Sequence, residues 1–220
     1  MNRALAAAAF PRLEAMALAG HEVIRAERAL ARQRFNVVAR LLRDEGTFYE
    51  WDHYPAGDVR DPASGAQYFY HAHVAAERPA GEHGHFHCFL RVAGTGLLHH
   101  LVAVAMDDRG RPTRLFTVNR WVTDDSWIDA SSAIRLLDRF HLDAARPSRW
   151  VNRWLEALLR LFRPEIETLL RQRDRRLADW RQRNPGLDAL ADRGLATLSE
   201  TAISIDARIE ELSRALARSG

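Results

Sequence analysis

Along residues 21–43 the apolar positions recur at helical spacing, with Val23, Ala26, Leu30, Val37 and Leu41 on one stripe. This predicts one helix over 21–43, preceded by a shorter one. Arg34 is the one gap in the stripe, and its long stem can cover apolar surface. From residue 67 the period changes to two. The runs 67–74, 84–91, 98–106 and 113–120 read as strands, and the breaks between them contain Pro79, Gly81, Gly94, Gly96, Gly110 and Pro112. Connections this short cannot hold a parallel crossover, so the pairing must be antiparallel. Between the helix and the sheet, residues 44–66 mix aromatics with Pro, Gly and Asp and read as a long ordered loop.

Helical spacing then returns. A short helix is expected at 131–140 and a long one at 148–183, kinked at Pro164 and ended by Asn184-Pro185-Gly186. The final helix carries Leu195, Leu198, Ala202, Ile205, Ile209, Leu212 and Leu216 in a coiled-coil seam. The expected fold is α+β: an antiparallel sheet of about four strands packed on helices, with a C-terminal αα-hairpin. A homo-oligomer through the C-terminal helices is the other use for that seam. The chain divides into N-terminal helices (1–44), loop and sheet (45–128) and a C-terminal helical region (129–220), joined as one integrated domain.

Inside the sheet the alternation has a chemical meaning. Of ten histidines, seven fall between residues 71 and 100. Successive strand residues face opposite sides, so His71 and His73 share one face of their strand. His85 and His87 share one face of the next, joined by His83 if that strand starts early. Tyr70, Ala72, Val74, Phe86, Cys88 and Leu90 occupy the other face and form an apolar core side. A turn centred near residue 78 sets His71 opposite His85 and His73 opposite His83, with Cβ atoms about 5 Å apart. A second turn near Gly94 sets Ala103 opposite His85 and Ala105 opposite His83, leaving room above the imidazoles.

Composition narrows the chemistry. The chain of 220 residues is 47% hydrophobic and 28% charged, an ordinary globular balance. It contains no lysine, which excludes Schiff-base chemistry and a G-K-[ST] phosphate loop. A single cysteine, Cys88, excludes a cysteine-held iron–sulfur cluster, an all-cysteine zinc site and an intramolecular disulfide. Neutral imidazoles on adjacent strands suit iron, copper or zinc. The apolar run at 4–10 is interrupted by Pro11, Arg12 and Glu14, so no secretory signal is expected, and no run of about 18 apolar residues exists to span a membrane. A cytoplasmic location follows by default from one thiol and no signal.

Two resemblances rest on the same segment. Gly65, His71, His73, Glu77 and Gly84 have the spacing of the first cupin motif, which supplies two histidines and a glutamate to a metal. The resemblance covers 20 residues and adds Glu77 to the candidates; the second cupin motif has no counterpart around 94–120. The string Glu82-His83-Gly84-His85-Phe86-His87 resembles the signature of an uncharacterised bacterial family, which implies no activity.

The expected function is a metal-binding protein, read as a non-haem metalloenzyme: iron or copper for oxygen chemistry, or zinc for hydrolysis of a small molecule. The expected ligands are His71, His73, His83, His85 and His87, with Glu77, Glu82 and His99 as further candidates. Tyr54, Asp58 and Arg91 are the catalytic candidates, the first two from the loop, the third from the histidine face. Trp121 and Trp127 are expected to cap that face or to pack in the core. The alternatives are a metal carrier, a haem protein, or a nucleic-acid-associated helical module. The last draws on 11 arginines against 5 acidic residues over 146–183, though an apolar stripe there makes nucleic acid the lesser reading.

Overall fold

The computed structural model describes residues 10–218, so most of the apolar run at 4–10 lies outside the described residues. The chain forms α1 (Phe10–Arg32), α2 (Val37–Leu42), β1 (Tyr54–Arg60), β2 (Ala66–His71), β3 (Gly84–Arg91), β4 (Leu98–Met106) and β5 (Pro112–Val118). There follow α3 (Arg120–Thr123), α4 (Ala130–Leu137), α5 (Arg149–Leu161), α6 (Arg163–Arg183), β6 (Thr197–Ala202) and α7 (Ile205–Leu216). The six strands make one antiparallel sheet in the order β1-β2-β3-β4-β5-β6. No helix among the described residues is long and apolar enough to cross a membrane.

The α+β class and the antiparallel pairing hold, while the count of four strands does not. The expected loop at 44–66 contains β1, an edge strand that pairs with β2 through an irregular register. The sixth strand comes from the supposed coiled-coil seam. Residues 197–202 extend along β5, pairing Thr117 with Ser199, and α7 starts only at Ile205. There is therefore no C-terminal αα-hairpin among the described residues. Instead α7 lies against α1, where the Ile209 side chain reaches within 3.5 Å of the space beside Gly20, and Arg208 pairs with Glu165 of α6. The apolar seam that suggested an oligomer is thus used within the chain.

The expected helix over 21–43 is two helices. Arg34 adopts a positive φ of 64°, and Asn36 caps the second helix by accepting from the Ala39 N–H at 2.7 Å. Similarly, 148–183 breaks at Phe162, with Pro164 in the first turn of α6, where its missing N–H costs nothing.

One face of the sheet carries Tyr68, Tyr70, Phe86, Cys88, Leu90, Val102, Val104 and Leu115, all with essentially no exposure. Helix α5 packs on it: Tyr68 donates to Asn152 at 2.6 Å and Phe86 meets Trp154. Trp154 also donates to Glu27 of α1, so α5 is enclosed between the sheet and α1. Burying each such large apolar side chain stabilises the fold by roughly 1.5–3 kcal/mol. The other face of the sheet, the histidine face, is thus turned away from α1 and α5.

Candidate metal centre

β2 and β3 pair in the expected register, with His71 opposite His85 and Phe69 opposite His87. Three imidazoles converge: His71, His85 and His87 each offer a ring nitrogen within 4.8 Å of the others. His71 Nε2 and His85 Nε2 are 2.7 Å apart. All three are buried, at 9%, 5% and 1% exposure. His73 follows the end of β2, stacked on Trp51 at 4.3 Å, with its ring 5.0 Å from His71 and 5.2 Å from His85. It forms the rim of the cluster.

Three of the candidate ligands lie elsewhere. His83 precedes β3, and its ring turns to the core side, where it bonds to the Tyr70 hydroxyl at 2.7 Å and contacts Phe48. His99 pairs with Leu90 and bonds to the Ser126 carbonyl. Glu77 lies in the turn between β2 and β3, outside the convergent group. Tyr54 is also on the core side, where its hydroxyl accepts from the Tyr49 N–H at 2.6 Å. A six-stranded meander without Glu77 in the group gives no support to the cupin resemblance.

Glu82 has a role the sequence did not disclose. Its side chain is buried beside the cluster and accepts from Arg114 Nη2 at 2.9 Å and from His85 Nδ1 at 2.8 Å. An arginine only donates and a carboxylate only accepts, so His85 must carry its proton on Nδ1. Its Nε2 is then a lone pair facing His71. Burial pushes the Glu82 carboxyl up, but its bonds to His85 and Arg114 more than offset this and hold it below the usual carboxylate range.

The third strand supplies a residue that alternation alone misplaces. β4 carries a bulge at Leu101, so that Cys88 pairs with Val102 while Phe89 pairs with His100. The bulge swings His100 onto the histidine face, where its Nε2 lies 3.0 Å from His87 Nδ1. In the segment of β4 after the bulge, Ala105 stands opposite His85 and Ala103 opposite His87. This is a two-residue slip from the expected pairs that keeps the same face. Phe116 fills the space over these alanines, with its ring 5.2 Å from that of His85. Trp121 and Trp127 do not cap the cluster: Trp121 donates to the Leu195 carbonyl, and Trp127 lies under the Arg173 guanidinium. Arg91 and Asp58 do lie at the margin of the histidine face, linked through Gln67. Cys88 is buried in the apolar core on the opposite face.

A family model, the domain of unknown function DUF6969, matches residues 17–203. The chain belongs to the DUF6969 family. That membership carries no activity with it, and no curated protein or solved structure gives a significant match. In this DUF6969 protein the chemistry must therefore be argued from the side chains.

Three of the buried imidazoles, those of His71, His87 and His100, are held neutral. Burial first, then the neighbouring imidazoles, lowers the His71 pKa to about 2. Burial likewise lowers His87 well below the usual value, and it lowers His100 to about 4 against the opposing pull of Asp125. In the unfolded chain the same groups titrate near pH 6.5. Below that pH the unfolded state takes up protons that the folded state refuses, so stability falls as the pH falls. The metal-free DUF6969 protein should therefore lose up to about 1.4 kcal/mol per pH unit for each such histidine between pH 6.5 and 5. Urea midpoints measured with chelator at pH 7, 6 and 5 test this. A constant midpoint would show that the imidazoles accept protons freely in the folded state.

Proposed function

We propose that this DUF6969 protein is a mononuclear, non-haem metalloenzyme whose ion is held by His71, His85 and His87. The observation that carries this reading is the relay Arg114–Glu82–His85. It fixes a lone pair on His85 Nε2, 2.7 Å from His71 Nε2, in a buried group of three imidazoles. A carboxylate behind a histidine is the usual support for a metal ligand. Two nitrogens bound to one tetrahedral ion at about 2.0–2.1 Å stand roughly 3.3 Å apart, so the pair need open by only about half an ångström. To bind the ion through Nε2 as a neutral imidazole, His71 would carry its proton on Nδ1 instead.

Three convergent nitrogens, with His73 at the rim, leave a coordination position for a small molecule, as catalytic sites do and storage cages do not. The all-imidazole donor set suits zinc, iron or copper. When bound, zinc supplies hydrolytic chemistry and iron or copper supplies oxygen chemistry. Elemental analysis of protein purified without an affinity tag tests the reading. About one zinc, iron or copper per chain is expected. A chain that stays empty after equilibration with all three refutes it.

A further inference from the structure

A second polar relay reaches the same face of the sheet. Arg91 Nη2 donates to Gln67 Oε1 at 3.1 Å, and Gln67 Nε2 donates to Asp58 Oδ2 at 2.7 Å. Asp58 Oδ1 lies 3.2 Å from His53 Nδ1. The direction of every bond follows from the first donor. Arginine can only donate, so the glutamine oxygen faces it and the glutamine amide donates onward. The carboxylate can only accept, so His53 carries its proton on Nδ1 and presents Nε2 as a bare acceptor.

The rest of the site holds that imidazole in place. Its ring stacks on Phe69 at 3.6 Å with the planes 8° apart, and it meets the ring of His71 edge-on at 5.9 Å. Asp58 sits at a φ of 60°, a backbone state a non-glycine residue adopts at a cost, and such strain concentrates at functional sites. Burial pushes the Asp58 carboxyl up, yet the bonds from His53 and Gln67 hold it below its ordinary value. His53 itself is nearly half exposed, with 47% of its side chain open to solvent. It is neither a core residue nor a member of the convergent triad. It is an oriented acceptor whose ring lies against that of His71, one of the three convergent imidazoles.

We infer that His53 accepts a hydrogen bond from the small ligand that completes the coordination of the ion. The site therefore selects ligands that keep an N–H or O–H donor when bound, such as hydroxamic acids, amides and alcohols, over aprotic anions. This rests on the metal reading above, and the experiment separates the two. Cobalt(II) is loaded in place of the native ion and its stoichiometry measured, after which the visible bands are titrated with two probes. Acetohydroxamic acid coordinates through its oxygens and keeps an N–H; azide has no donor.

Substituting His53→Phe keeps the stack on Phe69 and removes the acceptor. It should weaken acetohydroxamic acid about tenfold, as expected for one lost hydrogen bond, and leave azide within about twofold. Asp58→Asn is the sharper test, and asparagine tolerates the positive φ. The Gln67 amide, held by Arg91, directs the new oxygen to itself and the new NH2 to His53 Nδ1. His53 then carries its proton on Nε2, and the preference should invert, with azide binding more tightly and acetohydroxamic acid less tightly than in the unsubstituted protein. An unchanged ratio of the two affinities across all three proteins, each fully loaded with cobalt, overturns this inference and leaves the metal reading standing. Loss of cobalt from His53→Phe also overturns it, because His53 would then be a ligand. A parent protein that takes up no cobalt overturns the metal reading itself.

Discussion

Replacing His71 and His85 together by alanine is expected to abolish metal binding while leaving the far-ultraviolet helical signal intact. Two of the three convergent nitrogens are removed, and a single remaining imidazole cannot chelate. The loss should exceed the tenfold to about hundredfold effect typical of changes behind a ligand. The helices are insulated from this change because both residues lie on the face opposite the Tyr68, Phe86 and Cys88 core. The pairing of β2 with β3 is made by the backbone and survives. The double variant should also depend less on pH when metal-free, since His71 no longer contributes. Full metal occupancy in this variant would show that the ion sits elsewhere.

Glu82→Gln should weaken metal binding by about 10- to 100-fold without touching a ligand. Arg114 Nη2 draws the new amide oxygen toward itself, as it now draws Oε2. The amide NH2 then faces His85 Nδ1, where the carboxylate oxygen stood. To satisfy it, His85 must accept on Nδ1 and move its proton to Nε2, the atom meant for the ion. The relay thus reverses its sense and the lone pair is lost. Competition with a chromogenic chelator measures the effect. An unchanged dissociation constant would mean that Glu82 only packs beside the cluster.

The central strands were legible because each must satisfy two different faces. Tyr70, Phe86, Cys88 and Leu90 alternate with His71, His85 and His87, and a shift of one residue would put imidazoles into the apolar core and the aromatics onto the histidine face. The edge strands bear less of that constraint. β1 buries only Tyr54 and Val59, and β6 only Leu198 and Ser199, so neither shows the period-two pattern clearly. In β6 the apolar spacing of Leu198, Ala202 and Ile205 also continues smoothly into α7 and imitates a helix. The triad was therefore readable and its surroundings were not. His100 depends on the bulge at Leu101, which leaves no mark in the residue pattern. Glu82 and His53 depend on which donor faces which acceptor, and that is a property of the folded chain.

The position of β6 also bears on the order in which the molecule is made. Five strands follow one another closely, but the partner of Thr117 is Ser199, 82 residues later, with α3 to α6 between them. On the ribosome the outer edge of β5 emerges with its backbone groups unpaired and stays so until residues 197–202 have been synthesised. Such an edge is a template for pairing with other chains. The hairpin bearing His71, His85 and His87 runs only from Ala66 to Arg91 and is complete long before that. The sheet is therefore closed last and from far away, while its chemical centre is assembled early and locally. Truncation before residue 197 would leave the histidine hairpin present and the β5 edge permanently open.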